Sequence, residues 1–170
     1  HWEARGEDPG ENYYDRAVIY YAMWARTGDP VLWYRGTRMA ASYVRNYLEP
    51  NGGAPPHQMQ FEGLEKHYLL TGDERDRAAV YKLAVGIGYY FGRMDQMDLD
   101  NFENRVRARA LQALYTGWRL NVNNNAAAWA AQLDDALERV LRTQSADGAY
   151  RFKYLCGGTL NYMDGMLNDV

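Results

Sequence analysis

A three-residue phrase recurs along this chain at near-constant spacing: Thr27-Gly28-Asp29, Thr71-Gly72-Asp73 and Thr116-Gly117-Trp118, 44 and then 45 residues apart. Each follows a stretch with helical periodicity, and after the first two a second such stretch begins at once. Glycine just past a periodic run is the expected helix stop, because it enters the left-handed conformation without steric cost. An Asp directly after it is placed to cap the next helix by accepting its free N–H groups. A period of this order marks stacked helical hairpins, none of which buries its apolar face alone. The phrase therefore predicts an all-α chain of hairpin repeats.

The spacing sets the hairpins. The first is predicted at 12–48, as Asn12 to Arg26 and then Pro30 to Leu48. Pro30 stands where a first-turn proline is harmless, since that N–H has no partner anyway. A loop from Glu49 to Pro56 follows, and then the second hairpin at 57–94, His57 to Leu70 and Glu74 to Met94. The third runs over 102–143, Phe102 to Tyr115 and Ala126 to Thr143, with a looser break at Asn121 to Asn125. Trp129, Leu133, Ala136, Leu137, Val140 and Leu141 form one apolar stripe opposite Asp134, Asp135, Glu138 and Arg142, which is a surface helix. Ala110, Leu111, Ala113, Leu114, Tyr115 and Trp118 are apolar on more than one face, which is an inner helix. Alternating inner and outer helices are the layout of a partial (α/α) toroid or of an open solenoid. After a turn at Gln144 to Gly148, Ala149 to Phe152 alternates like a strand, so a short β-like segment is expected near 149–154. A fourth inner helix is expected to begin at 161.

At 170 residues the chain reads as a single domain, able to hide roughly 70% of its unfolded surface. It opens at His1 and ends at Val170 in what reads as the first turns of a helix, so the expectation is a piece of a longer chain. A net charge of −3 argues against nucleic acid, which needs a basic stripe for its phosphates. The longest apolar run, Ala17 to Ala25, is too short to span a bilayer, and no signal peptide is visible. The single Cys156 excludes an internal disulfide. The 15 Tyr and 5 Trp suit packing between helices, and they equally suit wet clefts where sugar rings stack.

If each Thr-Gly ends an inner helix of about 14 residues, the helix heads fall at Tyr13, His57 and Phe102. Around them stand Asn12-Tyr13-Tyr14-Asp15, His57-Gln58-Met59-Gln60 and Asn101-Phe102-Glu103-Asn104-Arg105, with Asn161-Tyr162-Met163-Asp164 at the fourth. All four should share one rim, and their N–H groups favour an anionic ligand or developing negative charge.

On this repeat pattern the chain resembles the (α/α)-toroid carbohydrate-active enzymes, namely unsaturated glucuronyl hydrolases with related toroid glycosidases, and toroid polysaccharide lyases. The likeness covers nearly the whole chain and is one of repeat grammar; Gln144-x-x-Asp147-Gly148-x-Tyr150 also resembles a turn common in toroid domains. It implies an active site at the heads of the helices that run into Thr-Gly-Asp. In the hydrolase version Asp15, twelve residues before Thr27, matches the acid/base position. The second repeat departs from that pattern, with Met59 at the equivalent place and His57 and Glu62 nearby. In the lyase version His57 or a rim tyrosine such as Tyr162 removes a proton, and Arg105 meets the uronate carboxylate.

Each residue has a structural alternative. Asp15 is equally a cap, His57 a solvated loop histidine after Pro55-Pro56, and Glu62 with Lys66 an ordinary i,i+4 pair. Of Arg105, Arg107 and Arg109, Arg105 lies nearest the rim, and the other two are expected to be salt-bridged or solvated. Tyr13, Tyr14 and Tyr150 are candidates for stacking, and Gln58, Gln60, Asn104 and Asp164 for hydrogen bonds to substrate. No metal or other cofactor is expected: His57 and His67 are off one helical face, and Asp95, Asp98, Asp100 and Glu103 lack the spacing of a calcium loop. The favoured function is binding and cleavage of an acidic poly- or oligosaccharide, which points to an extracellular or periplasmic setting. The alternative is a non-catalytic helical-repeat module that binds a partner, the rest of its own chain or further copies of itself.

Overall fold

A computed structural model of the chain describes residues 14–93 and 103–151, with side chains described over 14–88 and 103–151. The fold is all-α. Among the described residues six helices of eleven residues or more follow in order: α1 Arg16–Thr27, α2 Pro30–Ser42, α3 Phe61–Thr71, α4 Glu74–Arg93, α5 Asn104–Arg119 and α6 Ala126–Leu141. The chain divides into two compact units, His1–Leu83 and Ala84–Val170, with the boundary inside α4.

In the first unit the repeated phrase does the same work twice. Gly28 and Gly72 adopt φ of 72° and 73°, and their N–H groups donate to Trp24 and Tyr68 carbonyls at 2.7 Å in both cases. A side chain at that φ pays the left-handed penalty, so glycine is required. Thr27 and Thr71 donate back to Met23 and His67 carbonyls, and accept from the N–H groups of Asp29 and Asp73. Those aspartates cap α2 and α4 by accepting from Val31 and Arg75 N–H at 2.9 and 3.0 Å. The Thr-Gly-Asp turns are therefore closed by hydrogen bonds that lie within a few residues.

α1 and α2 pack through an aromatic seam, with Trp33 edge-on to Tyr21 at 5.6 Å and to Trp24 at 4.8 Å. α3 packs on both. Its approach to α1 is close at Gly63, where a Cβ would stand 2.2 Å from Asp15 Oδ1 and 2.8 Å from the Ala17 Cβ. Tyr43, Val44, Tyr47, Leu48, Phe61, Leu64, Val80 and Leu83 complete the core of this unit. α2 does not end at Ser42: Tyr43–Leu48 continues it as a π-helical turn, and Gly52 closes it at φ 69°.

The third Thr-Gly behaves differently from expectation. α5 runs through Gly117 to Arg119, and Trp118 offers no capping carboxylate of the kind that Asp29 and Asp73 supply to the helices after them. Gly117 instead makes room for a neighbour, since a Cβ there would meet the Trp129 ring at 3.0 Å. The left-handed residues shift downstream to Asn121, Asn123 and Asn124, a residue type that tolerates them. Asn121 Oδ1 accepts from Ala126 N–H, and Trp129 Nε1 donates to the Val122 carbonyl at 2.9 Å. α5 is buried on several faces, whereas α6 buries only Trp129, Ala136 and Val140; of the residues the sequence assigns to the buried faces, Tyr115 and Trp118 of α5 and Leu137 and Leu141 of α6 are exposed instead. Of the β-like segment near 149–154, the described part holds a single antiparallel bridge between Gln144 and Tyr150.

Candidate functional site

The helix heads start later than the sequence count places them. α1 begins at Arg16, α3 at Phe61 and α5 at Asn104, so the last extended residues are Asp15, Gln60 and Glu103. The largest difference concerns His57, which is not at a helix start. It sits in a short 3-10 turn, Pro56–Gln58, and Met59 and Gln60 then run extended before α3. Buried anchors hold that extension. The Gln60 side chain donates to the Tyr14 carbonyl at 3.2 Å, its backbone N–H donates to the Tyr43 hydroxyl, and Met59 is 4% exposed. The structural counterpart of Asp15 in the second repeat is thus Gln60 rather than Met59.

Asp15 joins two heads. Its Oδ1 accepts from Val18 N–H at 3.3 Å, capping α1, and its Oδ2 accepts from Gly63 N–H at 2.7 Å in the first turn of α3. The missing side chain at Gly63 is what lets the carboxylate reach that amide. Beside it, the wide π-turn brings two hydroxyls onto one glutamine: Tyr43 donates to the Gln58 carbonyl at 2.7 Å and Tyr47 donates to Gln58 Oε1. Their rings stack at 5.7 Å, and burial pushes the Tyr47 phenol up, so it stays a donor. The first unit therefore gathers Tyr14, Asp15, Gln58 and Gln60 at adjoining heads, with His57 half-buried next to Gln58 in the chain. Tyr14 is 66% exposed and presents an open aromatic ring.

The second unit has its own head. Asn104 is buried and donates to the Tyr150 carbonyl at 2.9 Å, which ties the start of α5 to the turn after α6. Tyr150 is buried too, and Arg105 is 6% exposed. Arg107, expected to be salt-bridged or solvated, is not solvated: it is fully buried and donates to Thr143 Oγ1 at 2.9 Å. Arg109 is half-buried and donates to Gln112. Lys66 lies 3.4 Å from Glu65. Tyr13, Tyr162, Asp164, Cys156 and the acidic loop of Asp95, Asp98 and Asp100 lie outside the described residues. Among the described residues no group of three or more His, Cys, Asp or Glu side chains is arranged to hold a metal ion. No helix among them is long and apolar enough to cross a membrane.

One polar pair was invisible to periodicity. His67 Nδ1 and Asp76 Oδ2 are 2.6 Å apart across the Gly72 turn, with side chains 5% and 2% exposed. Tyr21 stacks on the imidazole at 6.5 Å, and its hydroxyl is 3.1 Å from Thr37 Oγ1, so four helices meet at this cluster. Burial raises the Asp76 carboxyl, and the hydrogen bond and charge of His67 partly offset it. A carboxylate orienting a histidine is a catalytic arrangement elsewhere, but at this depth the pair serves as an interhelix clamp. The signal was available in the repeat itself: in register with the first hairpin, His67 and Asp76 replace Met23 and Leu32.

Set beside protein-family models, curated proteins and solved structures, the chain matches none of them.

Proposed function

We propose that the hairpins belong to an (α/α) toroid, and that the chain binds an acidic poly- or oligosaccharide at the adjoining heads of α1 and α3 and cleaves it by β-elimination. The observation that supports this is the exposed Tyr14 ring at adjoining heads of the first unit, its carbonyl tied to the buried Gln60 side chain, with Gln58 held by Tyr43 and Tyr47 and His57 next to Gln58 in the chain. An open tyrosine face stacks on sugar rings, amides hydrogen-bond sugar hydroxyls, and imidazole is suited to proton transfer near neutral pH. In the reaction His57 takes the proton α to the uronate carboxylate. The C4–O bond then breaks, a C4=C5 double bond forms, and the departing oxygen takes up a proton. Asp15 holds the heads together instead of transferring protons.

A non-catalytic binding module is the second reading. It is favoured by candidate site residues that work inside the scaffold, namely Asp15, expected as acid/base, with both oxygens on backbone amides, and Asn104, expected to bind substrate, with its amide buried on the Tyr150 carbonyl. The test is ultraviolet absorbance of the unsaturated uronate during incubation with a panel of uronate polysaccharides. A rise that vanishes in His57→Ala supports elimination with that base. A flat trace together with measurable saccharide binding selects the binding module.

A further inference from the structure

The outward face of α2 and its π-turn carries a second concentration of recognition chemistry. From Pro30 to Leu48 the sequence holds Arg35, Arg38 and Arg45 and no Asp or Glu, within a chain of net charge −3. Leu32, Gly36, Met39, Ala40 and Tyr43 turn inward, so the three arginines fall on the solvent side and are exposed. Between Arg38 and Arg45 lies a depression of about 230 Å³, lined among the described residues by Arg38, Ala41, Ser42, Arg45 and Asn46. Arg38 is set over the Tyr34 ring at 5.5 Å and donates to its hydroxyl at 2.7 Å, while Tyr34 remains 54% exposed. Asn46 Nδ2 donates to Ser42 Oγ at 3.0 Å. The π-turn that starts at Tyr43 passes through this patch, and such turns recur at functional sites.

We propose that this face is a binding site for the carboxylates of an acidic polysaccharide. Each part has a role in that chemistry. Arginine presents a planar fork that matches a carboxylate, and an exposed tyrosine ring stacks on a sugar face. The Ser42 hydroxyl and Asn46 amide are of the right kind for sugar hydroxyls. The net negative charge of the whole chain opposes any polyanion alike, so the choice of a sugar chain rests on the exposed tyrosine ring and on the hydroxyl and amide beside the arginines. The site lies on the opposite side of the helix from Tyr43 and Tyr47, which touch Gln58. It takes the same class of ligand as the rim proposed above, and it stands whether or not that rim cleaves.

The experiment is titration calorimetry with polygalacturonate, with neutral dextran and a duplex DNA fragment as comparison ligands, on the wild type and the Arg38→Glu/Arg45→Glu double variant. Both side chains are exposed, and unchanged helix content by circular dichroism confirms that the variant is folded. The expected result is that the wild type binds polygalacturonate in preference to both comparison ligands, more weakly as salt rises. The double variant is expected to weaken that binding about tenfold or more. Equal affinity of variant and wild type, or wild-type affinity for DNA or dextran equal to that for polygalacturonate, overturns the proposal. Only the binding lost in the double variant is assigned to this face, and it is read without reference to product release, so failure of this site and failure of the rim's chemistry are separate results.

Discussion

Asp15 is the residue on which the catalytic and the architectural readings part most clearly. Its Oδ1 accepts from Val18 N–H at 3.3 Å and its Oδ2 from Gly63 N–H at 2.7 Å. In Asp15→Ala both contacts go. Loss of an N-cap costs about 1 kcal/mol, and stranding the amide of the buried Gly63 costs about 1–3 kcal/mol, toward the lower end because Asp15 is half-exposed and water can enter. The expected total is about 2–3 kcal/mol, a visible part of the roughly 5–15 kcal/mol that holds a domain together. Asp15→Asn keeps one good acceptor, and Asn caps as well as Asp, so it should lose only about 1 kcal/mol. Urea unfolding of the three proteins at a common m-value reads these differences. The reasoning is refuted if Asp15→Ala lies within about 0.5 kcal/mol of wild type, the range of an ordinary surface change, or if Asn proves as damaging as Ala. The same pair separates the chemistry. With Asp15 as a clamp, the folded Asn variant keeps its elimination activity, whereas an acid/base role would abolish turnover in it.

Two further outcomes follow from the packing of the first unit and the glycines. Gly63→Ala places a Cβ 2.2 Å from Asp15 Oδ1 and should cost about 1–3 kcal/mol by overpacking, while Gly86→Ala, with nothing within 4 Å, should stabilise α4 by about 0.5–1 kcal/mol; thermal midpoints that move together in both variants would count against this. Burial pushes the Tyr21 phenol up to about 12 from 10.0, so the folded state holds that proton more tightly than the unfolded chain. Its contribution is fully present below pH 10 and is lost as pH rises toward about 12. Tyr21→Phe should flatten stability over that window and lose about 1 kcal/mol at neutral pH with the Thr37 hydrogen bond; an unchanged alkaline slope measured by urea unfolding would remove the argument.

The parts of the fold that could be read from sequence are those set by local chemistry. Thr27-Gly28-Asp29 and Thr71-Gly72-Asp73 fold as their side chains dictate, since every bond they make lies within a few residues. The one-stripe pattern of α6 and the broader burial of α5 were legible from residue type in outline, although Tyr115 and Trp118 of α5 and Leu137 and Leu141 of α6 are exposed. Contacts distant in sequence were not. The start of α3 at Phe61 depends on Gln60 reaching Tyr14 and Tyr43, 46 and 17 residues away. The through-run of α5 at Gly117 depends on Trp129, whose ring fills the space a side chain would take. Tyr14, Asp15, Gln58 and Gln60 lie at adjoining heads within the first unit, and their residue types mark them as polar and aromatic head groups in the sequence. Their hydrogen-bond duties, and the burial of Asn104, Arg105 and Tyr150, are tertiary facts that residue type alone does not carry.

The most direct test of the proposed rim is an NMR titration of the histidine ring signals with an oligogalacturonate. The chain has three histidines, His1, His57 and His67, so the spectrum is simple to assign by substitution. His57 stands in the half-exposed turn beside Gln58, and His67 is sealed against Asp76 and Tyr21. The account expects the His57 ring to shift saturably with ligand while His67 stays in place. A saccharide that binds without moving His57, or one that fails to bind at all, contradicts it.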